Sequence, residues 1–225
     1  MSIKLAVFDI AGTTVADEHA VATAFRNAFE SYGYADISEE DVKPLMGYKK
    51  PIAIRMVLDK LGVEEDLTLV EDIHDEFVGE MLDHYEYSED VKAMPQAENV
   101  FLQLKEKGIK VVLNTGFSRN IADVIVSRLQ WKERGLIDDY IASDEVEAGR
   151  PQPFMIQTLM ERAGITDAKE VIKIGDTEVD VNEGRNAGCS LVIAVTTGAF
   201  TKEQLEEYHP DYIIDDLSQL PALIF

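Results

Sequence analysis

Cysteine, histidine and basic residues are all scarce in this 225-residue chain. The single Cys189 excludes an internal disulfide and suits a reducing compartment. Beside Gly188, at the entrance to an apolar run, it reads as a small buried hydrophobe rather than a nucleophile. His74, His84 and His209 have no metal-ligand spacing, and the lone Trp131 reads as packing or interface. Lys and Arg number 21 against 43 Asp and Glu, a net charge of −22. Nucleic acid and anionic membranes are therefore poor partners, because phosphate backbones bind clustered cations. No apolar run approaches the roughly 20 residues of a membrane span. Met1-Ser2-Ile3-Lys4 enters a strand directly, without the basic start and cleavage site of a signal peptide, so a cytoplasmic protein is expected.

Two kinds of periodicity divide the chain. Lys4-Leu5-Ala6-Val7-Phe8 reads as a buried parallel strand. From Ala16 to Tyr87 the pattern is helical throughout: Val21, Ala24, Phe25, Ala28, Phe29 and Tyr32 share one face, as do Ile54, Val57, Leu58 and Leu61. Ser38 with Asp41 marks a helix start, and Gly62 a helix end. After Met94-Pro95, helices near 97–107, 119–129, 154–163 and through Arg185 alternate with strands at Ile109–Leu113, Tyr140–Ala142, Val171–Ile174, Leu191–Val195 and Tyr212–Ile214. Strict alternation implies an α/β, doubly wound parallel sheet. The first strand must join that sheet. The expectation is a core of residues 1–15 and 88–225, with residues 16–87 spliced in as an all-helical cap domain.

The chemistry-bearing residues fall at strand ends, where open α/β folds bind ligands. Asp9 closes the first strand and begins Asp9-Ile10-Ala11-Gly12-Thr13-Thr14. A carboxylate there can attack phosphorus and also hold a divalent metal. Thr115 and Gly116 follow the second strand, where a hydroxyl and backbone N–H groups can cradle a phosphoryl oxygen. Arg150 follows the third and can bind phosphate through its fork. Asp176 and Thr177 follow the fourth, with Asp180 one helical turn on, placed to order the loop or a metal-bound water. Asp9, Asp176 and the Ala11 carbonyl form an all-oxygen donor set suited to Mg2+. Taken singly, each has a bland alternative, such as a helix cap or a solvated loop residue. It is the four in order that point to phosphoryl transfer.

This arrangement resembles the haloacid dehalogenase superfamily over nearly the whole chain, helical cap included. That resemblance implies a Rossmann-like core, an aspartate nucleophile at Asp9, Mg2+, and substrate contacts from Ala11, Gly12, Thr115, Gly116 and Arg150. Most members carry a second aspartate where Ala11 stands, to protonate the leaving group. Ala11, together with Arg150 in place of the usual lysine, is similar to the phosphonoacetaldehyde hydrolase (phosphonatase) subgroup. There a cap lysine forms a Schiff base with the substrate aldehyde, and the leaving enamine needs no acid. Its Met-Gly-x-x-Lys pattern matches Met46-Gly47-Tyr48-Lys49-Lys50, which puts the imine role on Lys50 and adds Met46 to the substrate site. Pro51 then reads as the first helical residue, so that a helix N-terminus would favour the neutral amine.

The chain departs from that subgroup at three positions. Ala53 stands for a histidine, Phe117 for a tyrosine and His19 for a cysteine. The leading expectation is a Mg2+-dependent hydrolase acting on the carbon–phosphorus bond of phosphonoacetaldehyde or a related carbonyl phosphonate. A phosphate-ester phosphatase using water or His19 as acid is the alternative, followed by a silent phosphometabolite-binding relative. Arg150, Thr115 and the second acid weigh against a dehalogenase. The resemblance also suggests a homodimer through the cap.

Overall fold

The computed structural model describes residues 2–17, 19–64 and 66–225. Strand β1 (Leu5–Phe8) is buried on both faces, as its unbroken apolar run requires. A helical segment follows, with α1 (Ala20–Ser31), α2 (Glu39–Val42), α3 (Lys50–Lys60) and α4 (Leu67–Tyr87). The chain then alternates through α5 (Ala97–Glu106), β2 (Lys110–Thr115), α6 (Arg119–Arg128), β3 (Asp139–Ala142), α7 (Phe154–Ala163), β4 (Val171–Gly175), α8 (Glu178–Asn186), β5 (Leu191–Val195), α9 (Lys202–Glu207), β6 (Tyr212–Ile214) and α10 (Pro221–Ile224). The six strands form one parallel sheet in the order β3-β2-β1-β4-β5-β6. The doubly wound reading is correct. The order in which strands are added reverses between β1 and β4, which opens a crevice at their carboxyl ends.

The helical segment leaves and returns at one place. Val15 bridges Ala93, the Ala16 N–H donates to the Lys92 carbonyl, and the Met94 N–H donates to the Thr14 carbonyl. Such a two-strand neck lets 70-odd residues be inserted without disturbing the sheet. Within the insert, Phe25 lies against Phe29 and Phe77 at centroid distances of 5.2 and 6.0 Å, fastening α1 to α4. Ser38 and Asp41 make the reciprocal capping box expected of that spacing. Boundaries shift from the sequence reading at several elements: β2 runs through Thr115 instead of ending at Leu113, and α3 begins at Lys50, so Pro51 is its second residue. Pro51 remains within the first turn, where a missing N–H removes no helical bond.

Beneath β1 the core is aromatic. Phe8 meets Phe101 edge-on at 5.2 Å, and Phe101 meets Trp131 at 5.4 Å and 87°. Trp131 is fully buried and its indole N–H donates to Glu98 Oε1 at 2.8 Å, so packing accounts for the only tryptophan. Phe101 links strand β1, and hence Asp9 at its end, to the helix layer. Phe101→Ala should cost about 3–5 kcal/mol of unfolding free energy, read as a lowered urea midpoint at unchanged slope.

Candidate active site

Each strand end delivers one part of the site. The Asp9 N–H continues the ladder by donating to the Ile174 carbonyl at 2.9 Å, and the Thr14 hydroxyl donates to the Asp9 carbonyl at 2.8 Å. The loop after β1 thus folds back on its own strand and aims the Asp9 carboxylate into the crevice. After β4, Asp176 accepts from the Thr13 hydroxyl at 2.9 Å and from the Ala199 N–H at 2.7 Å. Thr177 and Asp180 form a capping box that starts α8. Asp9, Ala11, Gly12, Met46, Lys50, Thr115, Gly116, Arg150, Asp176 and Thr177 line one cavity of about 140 Å³. Asp180 lies beneath it.

The floor of that cavity is a buried charge network. Arg150, 1 % exposed, places Nη2 2.7 Å from Asp9 Oδ1 and pairs Nη1 with Asp180. Its buried Nε–H has no hydrogen-bond partner among the described residues. A buried donor without an acceptor is costly, and this one borders the cavity where a phosphoryl oxygen could satisfy it. Lys173 was read only as part of a strand, yet it sits fully buried in this network. Its ammonium lies 3.0 Å from Asp180 and 3.2 Å from Glu183, and donates to Asn114 Oδ1 at 2.6 Å. Asn114 in turn donates to both oxygens of Glu183. A lone lysine within an apolar run gives no sequence signal of its partners, which come from β2 and α8.

Burial acts to raise the Asp180 pKa, but Arg150 and Lys173 outweigh it and hold the carboxyl at about 2. Asp9 goes the other way, to about 6, because burial exceeds the pull of Arg150. Asp176 is raised well above the usual range by burial and then by the charges of Asp9 and Asp180. Four buried carboxylates (Asp9, Asp176, Asp180 and Glu183) thus stand against three buried cations, Arg150, Lys173 and Lys50. Oxygens of Asp9, Asp176 and Asp180 lie within 4.8 Å of one another. Asp180 is already saturated by Arg150, Lys173 and Thr177, while Asp9 pairs through Oδ1 with Arg150 and Asp176 is bonded only to a hydroxyl and an N–H; these two line the cavity. Two hard oxygen donors amid an excess of buried carboxylates fit a divalent cation.

The roof comes from the helical segment. Gly47, at φ +82°, has no room for a side chain: a Cβ would lie 2.5 Å from Val179 Cγ2 and 2.7 Å from Thr177 Oγ1. A Cβ on Gly116 would meet the Gly47 and Tyr48 carbonyl oxygens at 2.6 Å. The Tyr48 hydroxyl donates to Glu178 at 2.8 Å. Both glycines therefore permit the 46–48 turn to close onto the loops after β2 and β4. Lys50, not Lys49, enters the cavity. Its side chain is 3 % exposed, with Nζ 5.6 Å from the Phe117 ring centre and 5.8 Å from that of Phe77. Burial, followed by the Arg150 charge, lowers its pKa to about 8. The neutral amine is favoured chiefly by desolvation, beside the helix start expected from sequence. His19 is mostly exposed and paired with Glu39 at the cavity mouth, and Ala53 is buried in α3.

The haloacid dehalogenase-like hydrolase family model matches residues 6–195, from β1 through β5. The chain belongs to this family. As a haloacid dehalogenase-like hydrolase it is 30 % identical to phosphonoacetaldehyde hydrolase of Bacillus mycoides (strain KBAB4), over 93 % of the chain and 83 % of that protein. Two solved structures share the fold of this haloacid dehalogenase-like hydrolase. The phosphonoacetaldehyde hydrolase-like protein of Oleispira antarctica matches at a TM-score of 0.86 and 21 % identity, covering all of this chain and 92 % of that one. A hydrolase of Pseudomonas syringae matches at 0.87 and 17 %, covering 98 % and 97 %. Among the described residues no helix is long and apolar enough to cross a membrane.

Excess buried negative charge makes a direct prediction. A divalent cation at a hundredfold its Kd should add about 2.7 kcal/mol of stability, seen as a rise of several degrees in melting midpoint. Asp176→Asn should abolish most of that rise. An equal rise in the variant would place the cation elsewhere.

Proposed function

We propose that this hydrolase is a Mg2+-dependent phosphonatase acting on phosphonoacetaldehyde or a closely related carbonyl phosphonate. One observation carries the reading. A buried lysine with a depressed pKa shares a cavity with Asp9, while the position two residues after Asp9 is an alanine. A phosphate ester would ask for an acid near that position to protonate its departing alkoxide. A carbonyl phosphonate instead asks for an amine.

In this reading the Lys50 ammonium gives up a proton, the neutral amine attacks the carbonyl carbon, and the oxygen takes one N–H proton together with the proton released earlier and leaves as water, giving a protonated imine. Its positive nitrogen makes the adjacent carbon a good leaving group for phosphorus. An Asp9 carboxylate oxygen attacks phosphorus, the carbon–phosphorus electron pair moves into the imine as an enamine, and an aspartyl phosphate forms. Arg150 holds Asp9 Oδ1 in place, and its unpartnered Nε–H is available to a phosphoryl oxygen. Thr115, with the backbone at Gly116, completes the cradle; the Thr115 oxygen already accepts from the Phe117 N–H, which aims its hydroxyl. Water then releases phosphate from Asp9, and the enamine takes a proton and hydrolyses to the aldehyde. Magnesium held by Asp9, Asp176 and the Ala11 carbonyl would offset the negative charge that otherwise keeps carboxylate and phosphonate apart. Residues 16–87 serve as a cap that carries Lys50 and Met46 and excludes water from the imine.

The amine must be unprotonated to attack, so kcat/KM should rise with pH through about 8. Borohydride added during turnover should reduce the imine to a stable adduct, located on Lys50 by peptide mass spectrometry. Lys50→Arg should lose the adduct and about 10³-fold or more in turnover, since guanidinium keeps the charge but forms no imine. Phosphate release by Lys50→Arg at the wild-type rate would favour ester hydrolysis instead.

A further inference from the structure

Imine formation needs a group that removes a proton from the Lys50 ammonium and later delivers one to the departing hydroxyl. The positions that could supply it by sequence do not. His19 faces out against Glu39, Ala53 is inert, and Phe117 carries no hydroxyl. Asp9 is held by Arg150, and Asp176 by Thr13 and Ala199. Tyr85 is buried, and its phenol is pushed well above the usual range by that burial and then by the charges of Asp17 and Asp9, so it accepts no proton.

We infer that Asp17 is the proton carrier for Lys50, an assignment that rests on the imine reading above. Asp17 lies where the loop after β1 crosses into the helical segment, and its half-buried carboxyl lines the same cavity as Lys50. Oδ1 accepts the Val21 N–H at 3.2 Å, which fixes the carboxyl at the start of α1. Among the described residues it forms no ion pair, so its charge is not committed elsewhere. The charged groups that act on it are Lys50 of α3 and His84 of α4, and burial raises its pKa, which brings it nearer to that of the amine it serves. The bland alternative is a helix-capping acid, which the Val21 bond alone would support.

The step balances without an added reagent. Asp17 takes a proton from the Lys50 ammonium, and the freed lone pair bonds to the carbonyl carbon while the carbonyl π pair moves to oxygen. One N–H proton passes to that oxygen. Asp17 returns its proton to the resulting hydroxyl as the carbon–oxygen bond breaks, water departs, and the nitrogen lone pair completes the iminium. Lysine ammonium and aldehyde have become iminium and water, with Asp17 regenerated.

The electrostatic and proton-carrying roles predict opposite signs. The Asp17 charge favours the protonated amine. Were that its sole effect, Asp17→Asn would free more amine and speed adduct formation at neutral pH. As the proton carrier, its loss should slow the appearance of borohydride-reduced Lys50 adduct with phosphonoacetaldehyde by about 10²-fold. The asparagine amide oxygen can still accept the Val21 N–H. Asp17→Ser, whose hydroxyl also caps a helix, gives the same reading should the amide variant not fold. Adduct formation at the wild-type rate or faster in the folded variant overturns the assignment alone. A wild-type chain that forms no adduct overturns the imine reading, and this assignment with it.

Discussion

The fully buried guanidinium of Arg150, set between Asp9 and Asp180, is the interaction on which the site depends. It joins the loop after β3 to the end of β1 and the first turn of α8, and so fixes three segments of the site relative to one another. Removing one member of such a buried pair leaves an uncompensated charge, at a typical cost of about 3–5 kcal/mol. Lys173 supports the same carboxylate from below, which lets Arg150 spend one side of its fork on Asp9. The remaining excess of carboxylates suits an oxygen-liganded cation, and burial, followed for Asp176 by the charges of Asp9 and Asp180, raises both Asp9 and Asp176.

The cavity divides by origin. One end, which the proposed reaction assigns to phosphorus, is made by the sheet: Asp9, Thr115, Arg150 and Asp176 come from strand ends and the loops that follow them. The other end, which the proposed reaction assigns to the carbonyl, comes from the helical segment, with Lys50 seated against Phe77 of α4 and Phe117 of the core. Phe77 and Phe117 also stack on each other at 6.4 Å. The apolar contact that lowers the amine pKa is thus the same contact that docks the helical segment on the core. An open arrangement would rehydrate Lys50 and restore its charge. In the proposed reaction, therefore, a competent amine and an enclosed substrate occur together.

Much of this was legible in the sequence because it is local. The continuous apolar strands, the alternation after Met94, and the position of Asp9, Thr115, Arg150 and Asp176 at strand ends all follow from short-range pattern. Ala11 and the Met46-to-Lys50 spacing were equally readable, and they narrowed the chemistry. What could not be read was non-local. Lys173 looks like a stray charge in a strand until Asn114, Asp180 and Glu183 converge on it from 59, 7 and 10 residues away along the chain. The depressed pKa of Lys50 has its main source in burial against rings that lie 27 and 67 residues downstream, rather than in its place at a helix start. Asp17 has the sequence character of an ordinary acid just ahead of a helix, and only the fold brings it to the same cavity as an amine.

Product analysis with phosphonoacetaldehyde and magnesium tests the central claim most directly. The account predicts phosphate and acetaldehyde in equal amounts, at a kcat/KM above that for any member of a phosphate-ester panel. Turnover of esters with no phosphate from phosphonoacetaldehyde would contradict it.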